Sequence, residues 1–326
     1  MVQNRGVAVR RRVGLVFGGC IGAAVAGQAR INGALGERLQ DGVAAAVISF
    51  GVGLVLLLIA FGVSGRLRVG VGRVWGALRS GGLRWWQLLG GLCGAFFVAC
   101  QGLTVAAIGV TAFTVAVVAG QLVSSLVVDR LGLGPSGRTP VTGLRAGGAG
   151  LALAAVALAA VGRADNGGGL AVPEGLRGGP QVLLIGLPLL AGFGVAWQQA
   201  VNGRVGEVGG PQSATLANFV TGLAGLLVVE SVVIGRSGWP ATFPDEPWLY
   251  LGGVLGVVFI ALAVVTVRWI GVLLLGLTTV AGQLLMSLVL DVLTPTGPGL
   301  SATVVAGCVL TFVAVALAAR APARAA

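Results

Sequence analysis

Lysine and histidine are both absent from the 326 residues, and all 21 basic side chains are arginine. Without lysine there is no Walker A phosphate loop and no Schiff-base chemistry, and without histidine there is no imidazole metal site or histidine-based triad. Charge is scarce, with 10 % charged residues against 56 % hydrophobic and a mean hydropathy of +0.99. Soluble domains carry about 25 % charged residues, so this composition excludes one. Aromatics make up only 6 %, too few to suggest an aromatic cage for a cationic ligand. No hydrophilic stretch exceeds about 20 residues, which leaves no room for a soluble catalytic or ATPase domain. Any transport must then draw on an existing gradient. No catalytic residue, cofactor or metal site is expected, and the chain reads as a non-enzyme. The four cysteines, Cys20, Cys93, Cys100 and Cys308, lie in apolar stretches without Cys-x-x-Cys spacing and read as small buried hydrophobes.

What is present is apolar sequence in lengths that suit a bilayer. Stretches of about 20 residues, enough for one helical crossing, occur ten times. They cover 13–33, 43–63, 84–106, 110–128, 143–161, 181–201, 213–234, 248–267, 271–291 and 299–319. They are too long and too evenly apolar for the alternating strands of a barrel. The expected fold class is therefore an all-α polytopic membrane protein. Its 58 glycines favour close helix approach in lipid, as the small-xxx-small spacings Gly18/Gly22, Gly90/Gly94 and Gly252/Gly256 suggest.

The net charge of +11 is a topology signal and gives no reason to expect nucleic acid. With the N-terminus inside, sixteen arginines fall in cytoplasmic segments. Only Arg30, Arg38, Arg163, Arg177 and Arg236 fall outside. That bias predicts both termini in the cytoplasm. Arg10-Arg11-Arg12 ahead of an apolar run resembles a signal peptide, but the first repeated element begins within that run, so a retained first span is expected.

The chain also repeats itself. Gln28-x-x-x-Asn32-Gly33-x-x-Gly36-Glu37 returns as Gln198-x-x-x-Asn202-Gly203-x-x-Gly206-Glu207. Gly120-Gln121 followed by Ser125 and Asp129 returns as Gly282-Gln283, Ser287 and Asp291. Ser49-Phe50 with Gly53 matches Asn218-Phe219 with Gly222, and Ile108-Gly109-Val110 matches Ile270-Gly271-Val272. A unit of roughly 160 residues has been duplicated. Residues 1–161 hold the first five-helix repeat with a short cytoplasmic tail, 162–180 form a linker, and 181–326 hold the second repeat with a short tail. Five spans per unit is odd, so the two units must be oppositely oriented, giving a 5+5 inverted repeat. Spans three and four are expected to form a tight hairpin about Gly109, and spans eight and nine around Arg268 to Gly271.

Ten spans arranged as five plus five inverted resemble the drug/metabolite transporter superfamily. The Gln-x-x-x-Asn-Gly-x-x-Gly and Gly-Gln-x-x-x-Ser-x-x-x-Asp elements resemble its YdcZ-like branch of bacterial inner-membrane exporters. The resemblance runs from about residue 14 to residue 318. It implies a multi-pass inner-membrane secondary transporter that exports a small metabolite or drug-like molecule by alternating access. A passive channel or facilitator, and a non-transporting scaffold, are the competing readings. The expected partners are a small-molecule substrate and the lipid bilayer, with no nucleic acid. The sequence leaves the oligomeric state open, monomer included.

The repeated polar residues are the site candidates. Gln121 and Gln283 fall mid-span, with Ser125 and Ser287 one turn on and Asp129 and Asp291 a further turn. They read either as a cavity lining for substrate or as interhelical glue. Gln28 with Asn32, and Gln198 with Asn202, share a helix face in each unit and read as substrate contacts or as packing at a helix end. Asp129 and Asp291 close their helices at the C-terminal side, where the helix dipole disfavours a carboxylate. They are interfacial groups or coupling candidates. Glu230 has no counterpart in the other unit, and no carboxylate reads as firmly at bilayer depth, in contrast to small multidrug-type relatives.

Overall fold

The computed structural model describes residues 2–134, 137–138, 140–164, 182–238, 242–294 and 300–320. Among them all regular structure is helical: α1 (Val2–Leu39), α2 (Gly42–Val63), α3 (Gly65–Ser80), α4 (Gly90–Leu131) and α5 (Gly143–Ala164) in the first half. The second half holds α6 (Val182–Gly209), α7 (Pro211–Ser237), α8 (Gly252–Leu293) and α9 (Ala302–Arg320). Short 3-10 turns at Trp85–Leu89 and Pro247–Tyr250 lead into α4 and α8. Five described segments are long and apolar enough to cross a membrane: Arg12–Leu39, Gly42–Val63, Trp85–Leu131, Leu183–Gly209 and Pro211–Gly235. Most of the expected linker lies outside the described residues.

Local chemistry sets several helix ends. Asp41 caps α2, its carboxylate accepting from the amides of Val43 and Ala44 at 2.9 Å. Ser64 closes α2 and opens α3, where its hydroxyl accepts from the Leu67 amide. Pro211 starts α7, where its missing N–H costs nothing. Helix α3 departs from the sequence reading, which left 64–83 as a cytoplasmic loop. Its arginines interrupt the apolar run, yet Leu67, Gly70 and Val74 recur at helical spacing and are buried.

At 42 residues, α4 would be about 63 Å long if straight, roughly twice the hydrocarbon thickness. It is not straight. Gly109 has φ +78° and ψ 159°, and the chain turns back there. Before it, Gly90, Gly94 and Cys100 meet Asn202, Gln198 and Leu187 in descending order along α6. After it, Gly120, Ser124 and Val128 meet Leu189, Phe193 and Ala196 in ascending order. One limb of α4 thus runs antiparallel to α6 and the other parallel. Phe97 and Phe113 meet with ring centroids 5.7 Å apart, whereas sixteen residues of straight helix would separate them by about 24 Å. Helix α8 does the same against α1. Gly252 and Gly256 meet Asn32 and Gln28, while Thr278, Gln283 and Thr294 meet Gly18, Gly22 and Arg30. Its reversal falls between Gly256 and Thr278.

These contacts come in matched sets with the partners exchanged. Helix α1 packs most closely on α8, and its counterpart α6 on α4. A Cβ on Gly22 would overlap the Thr279 carbonyl, and one on Gly192 the Val117 carbonyl. Gly282 lies on Gly19 as Gly120 lies on Leu189. Helices α2 and α7 pair with each other, Phe50 and Phe219 meeting at 4.9 Å, and α5 pairs with α9. The core therefore lies where the halves interlock, around the two limbs of α4.

Candidate functional site: two amide clusters and two carboxylates

Two clusters of amides, the first buried and the second half-buried about a buried Asn218, flank the Phe50–Phe219 contact. In the first, Gln28 donates through Nε2 to the Gly252 carbonyl at 3.0 Å. Asn32 donates through Nδ2 to Gln101 Oε1 at 2.7 Å. Asn32 and Gln101 are fully buried, yet Asn32 Oδ1 and Gln101 Nε2 have no partner. In the second, Gln198 and Asn202 both donate to Asn218 Oδ1, at 2.8 and 3.0 Å. Glycine on the facing helix makes room in each case. Gly252 and Gly256 lie against Asn32 and Gln28, and Gly90 and Gly94 against Asn202 and Gln198.

The clusters occupy equivalent places but are wired differently. Asn218 has Ser49 as its counterpart, too short to bridge two amides, so Asn32 reaches across to Gln101 instead. The position matching Gln101 in the other half is Ala263. The second cluster leaves no fully buried side-chain polar atom unpartnered, whereas the first holds an unfilled acceptor and an unfilled donor. Buried polar atoms without partners cost stability.

The mid-helix glutamines belong to two separate contacts. Gln121 faces α6, where Nε2 donates to Gln199 Oε1 at 3.2 Å. Gln283 is buried with its backbone against Gly22 of α1. Ser125 and Ser287 each donate to a carbonyl of their own helix, those of Leu122 and Leu284. The adjacent Ser124 makes the bond between helices, to the Phe193 carbonyl at 2.9 Å.

The two aspartates differ most. Asp291 is buried and crosses to the turn at Gly109, where it accepts from the amides of Val110 and Thr111 at 3.0 and 2.8 Å. It sits on the N-terminus of the second limb of α4, so another helix's dipole supports a carboxylate that its own disfavours. Asp129 instead pairs with Arg145 of α5, half-exposed. Glu230, on the inner face of α7, is buried with Oε2 unpartnered.

Sequence reading missed Gln101, Gln199, Ser124 and the Asp129–Arg145 pair, and took Asn218 only as a repeat marker. Gln101 carried the same signal as Gln121, an amide inside an apolar stretch. The cap made by Asp291 had no signal, because Asp291 and Val110 are 181 residues apart.

A bundle of apolar, sharply reversed helices with amides buried between exchanged halves is a membrane transporter architecture. The model of the family described as "Putative inner membrane exporter, YdcZ" matches residues 13–158 and, separately, 183–317. The chain belongs to the YdcZ family and is a multi-pass protein of the inner membrane. No curated protein matches the chain.

Proposed function

We propose that the protein is a secondary transporter that exports a small metabolite or drug-like molecule by alternating access between two inverted repeats of five spans. The spans are α1, α2, the two limbs of α4 and α5, then α6, α7, the two limbs of α8 and α9. Both termini are cytoplasmic on this reading, in line with sixteen inner and five outer arginines. Gln28, Asn32, Gln198 and Asn202 line the substrate path, with Gln121, Gln283, Ser125 and Ser287 on the reversed limbs.

The observation that carries this reading is an asymmetry between the two halves. Among the described residues, Asp291 holds the turn of α4, while its counterpart Asp129 pairs with Arg145. Two halves of like sequence in unlike local states are what alternating access requires, since exchanging the two states opens the other side. Asp129 and Asp291 are then the coupling candidates.

Purified protein in sealed vesicles tests this directly. Efflux of a metabolite and toxin panel should accelerate when a proton gradient is imposed. Equilibration indifferent to any gradient would mean a passive facilitator, and no flux across the panel a scaffold. Gln121→Leu and Gln283→Leu should preserve folding and abolish flux. Loss of folding and flux together would assign both glutamines to helix packing.

A further inference from the structure

Among the described residues helix α3 has no counterpart in the second half, where Asp245 and Glu246 lie between α7 and α8. Its inner face is settled. Leu67, Gly70 and Val74 are buried, and Gly70 is pressed against Gly209 and Ser213. Val74 packs with Leu83, Val205 and Ala214. Arg68 is committed as well, donating through Nη1 to the carbonyls of Phe61 and Gly62 at 3.1 and 2.6 Å, which fixes α3 to the end of α2.

The outer face has a different character. Arg66, Arg73 and Arg79 are exposed on it, with Val69 at 56 % and Trp75 at 57 % exposure between them. Arg84 and Trp85, the latter 72 % exposed, extend the surface toward α4. Residues 64–89 contain five arginines and no acidic side chain. Among the described residues no carboxylate pairs with Arg66, Arg73, Arg79 or Arg84. Arg79 stands 5.1 Å from the Trp75 ring centroid, its guanidinium over the indole.

We propose that this face of α3, with Arg84 and Trp85, is a docking surface for anionic phospholipid headgroups of the cytoplasmic leaflet. The charge complements a phosphate, which guanidinium groups grip in bidentate fashion. Tryptophan beside arginine is the pairing that sits at headgroup depth. The surface also continues the lipid-facing side of α2, where Leu58, Ile59 and Val63 are exposed up to the junction with α3. A lipid whose tails lie along α2 would place its headgroup on α3. The helix is 16 residues long, too short and too charged to cross the bilayer itself. The proposal rests on the cytoplasmic placement of α3 in the proposed topology.

The full chain should be purified from membranes containing phosphatidylglycerol and phosphatidylcholine, with retained lipid counted by mass spectrometry. Wild-type protein should retain phosphatidylglycerol preferentially, and the triple variant Arg66→Gln, Arg73→Gln, Arg79→Gln should lose at least about fivefold of it. The corresponding triple lysine variant should keep most of it, and Arg204→Gln all of it. Monodispersity and melting temperature of each variant exclude misfolding as the cause. Equal retention of both lipids by wild type, or retention unchanged in the triple glutamine variant, overturns the proposal. So does recovery of an acidic protein bound to α3 in place of lipid. Labelling of a Ser80→Cys variant reports separately on topology. If only an external reagent reached it while lipid retention followed the arginines, the orientation would fail and the anionic site would move to the outer leaflet.

Discussion

Gly109 combines two constraints that any side chain would violate. Its φ of +78° with ψ 159° is a region open to glycine almost alone, and a Cβ there would sit 3.0 Å from Asp291 Oδ2. Gly109→Ala should therefore lower stability by about 1–3 kcal/mol, read as the denaturation midpoint in detergent. Asp291→Ala removes the acceptor of two buried amides and should cost about 2–4 kcal/mol. Asp129→Ala breaks a half-exposed ion pair and should cost about 0–1 kcal/mol. Equal losses at both aspartates would contradict the asymmetry on which the alternating reading rests. At this scale the sequence was partly legible. Helical spacing placed Gln28 with Asn32 on one face, and Gln121 with Ser125 on another, because 3.6 residues per turn is a local rule. It could not assign partners, so Asp291 read as a C-terminal carboxylate out of place, when it serves the N-terminus of a distant limb.

At the scale of the helix, the matched glycines provide the test. Gly22→Val and Gly192→Val should each disrupt a backbone-to-backbone approach, α1 against α8 and α6 against α4. Losses of about 1–3 kcal/mol each are expected by differential scanning calorimetry in detergent. Gly186→Val, where nothing lies within 4 Å of an added Cβ, should be neutral by comparison. If Gly22 and Gly192 differed widely, the two crossings would not be equivalents. The length of the apolar runs revealed nearly every element, and the tight turn at Gly109 was expected from the near absence of a connecting loop. Helix α3 escaped, since a helix that buries one narrow stripe and exposes arginine reads as a polar connector when only long apolar runs are sought.

For the molecule as a whole, the topology carries a direct prediction. In a cysteine-free background, Gln40→Cys should react with an impermeant reagent added outside intact cells, and Ser80→Cys only after permeabilisation. The opposite pattern would invert the arginine-based orientation. Composition and repetition alone determined that this is an apolar helical protein with a duplicated unit, because transfer to lipid depends on each segment's own side chains and not on its neighbours. Only the tertiary structure decided which repeats touch, that α1 lies in the fold of α8 and α6 in that of α4, and that Asn32 meets Gln101 while Asn202 meets Asn218. A helix fixes the face on which an amide stands. What stands opposite depends on how two reversed helices close around it, and there one differing residue, serine for asparagine or alanine for glutamine, is enough to rewire a cluster that the repeat made nearly the same.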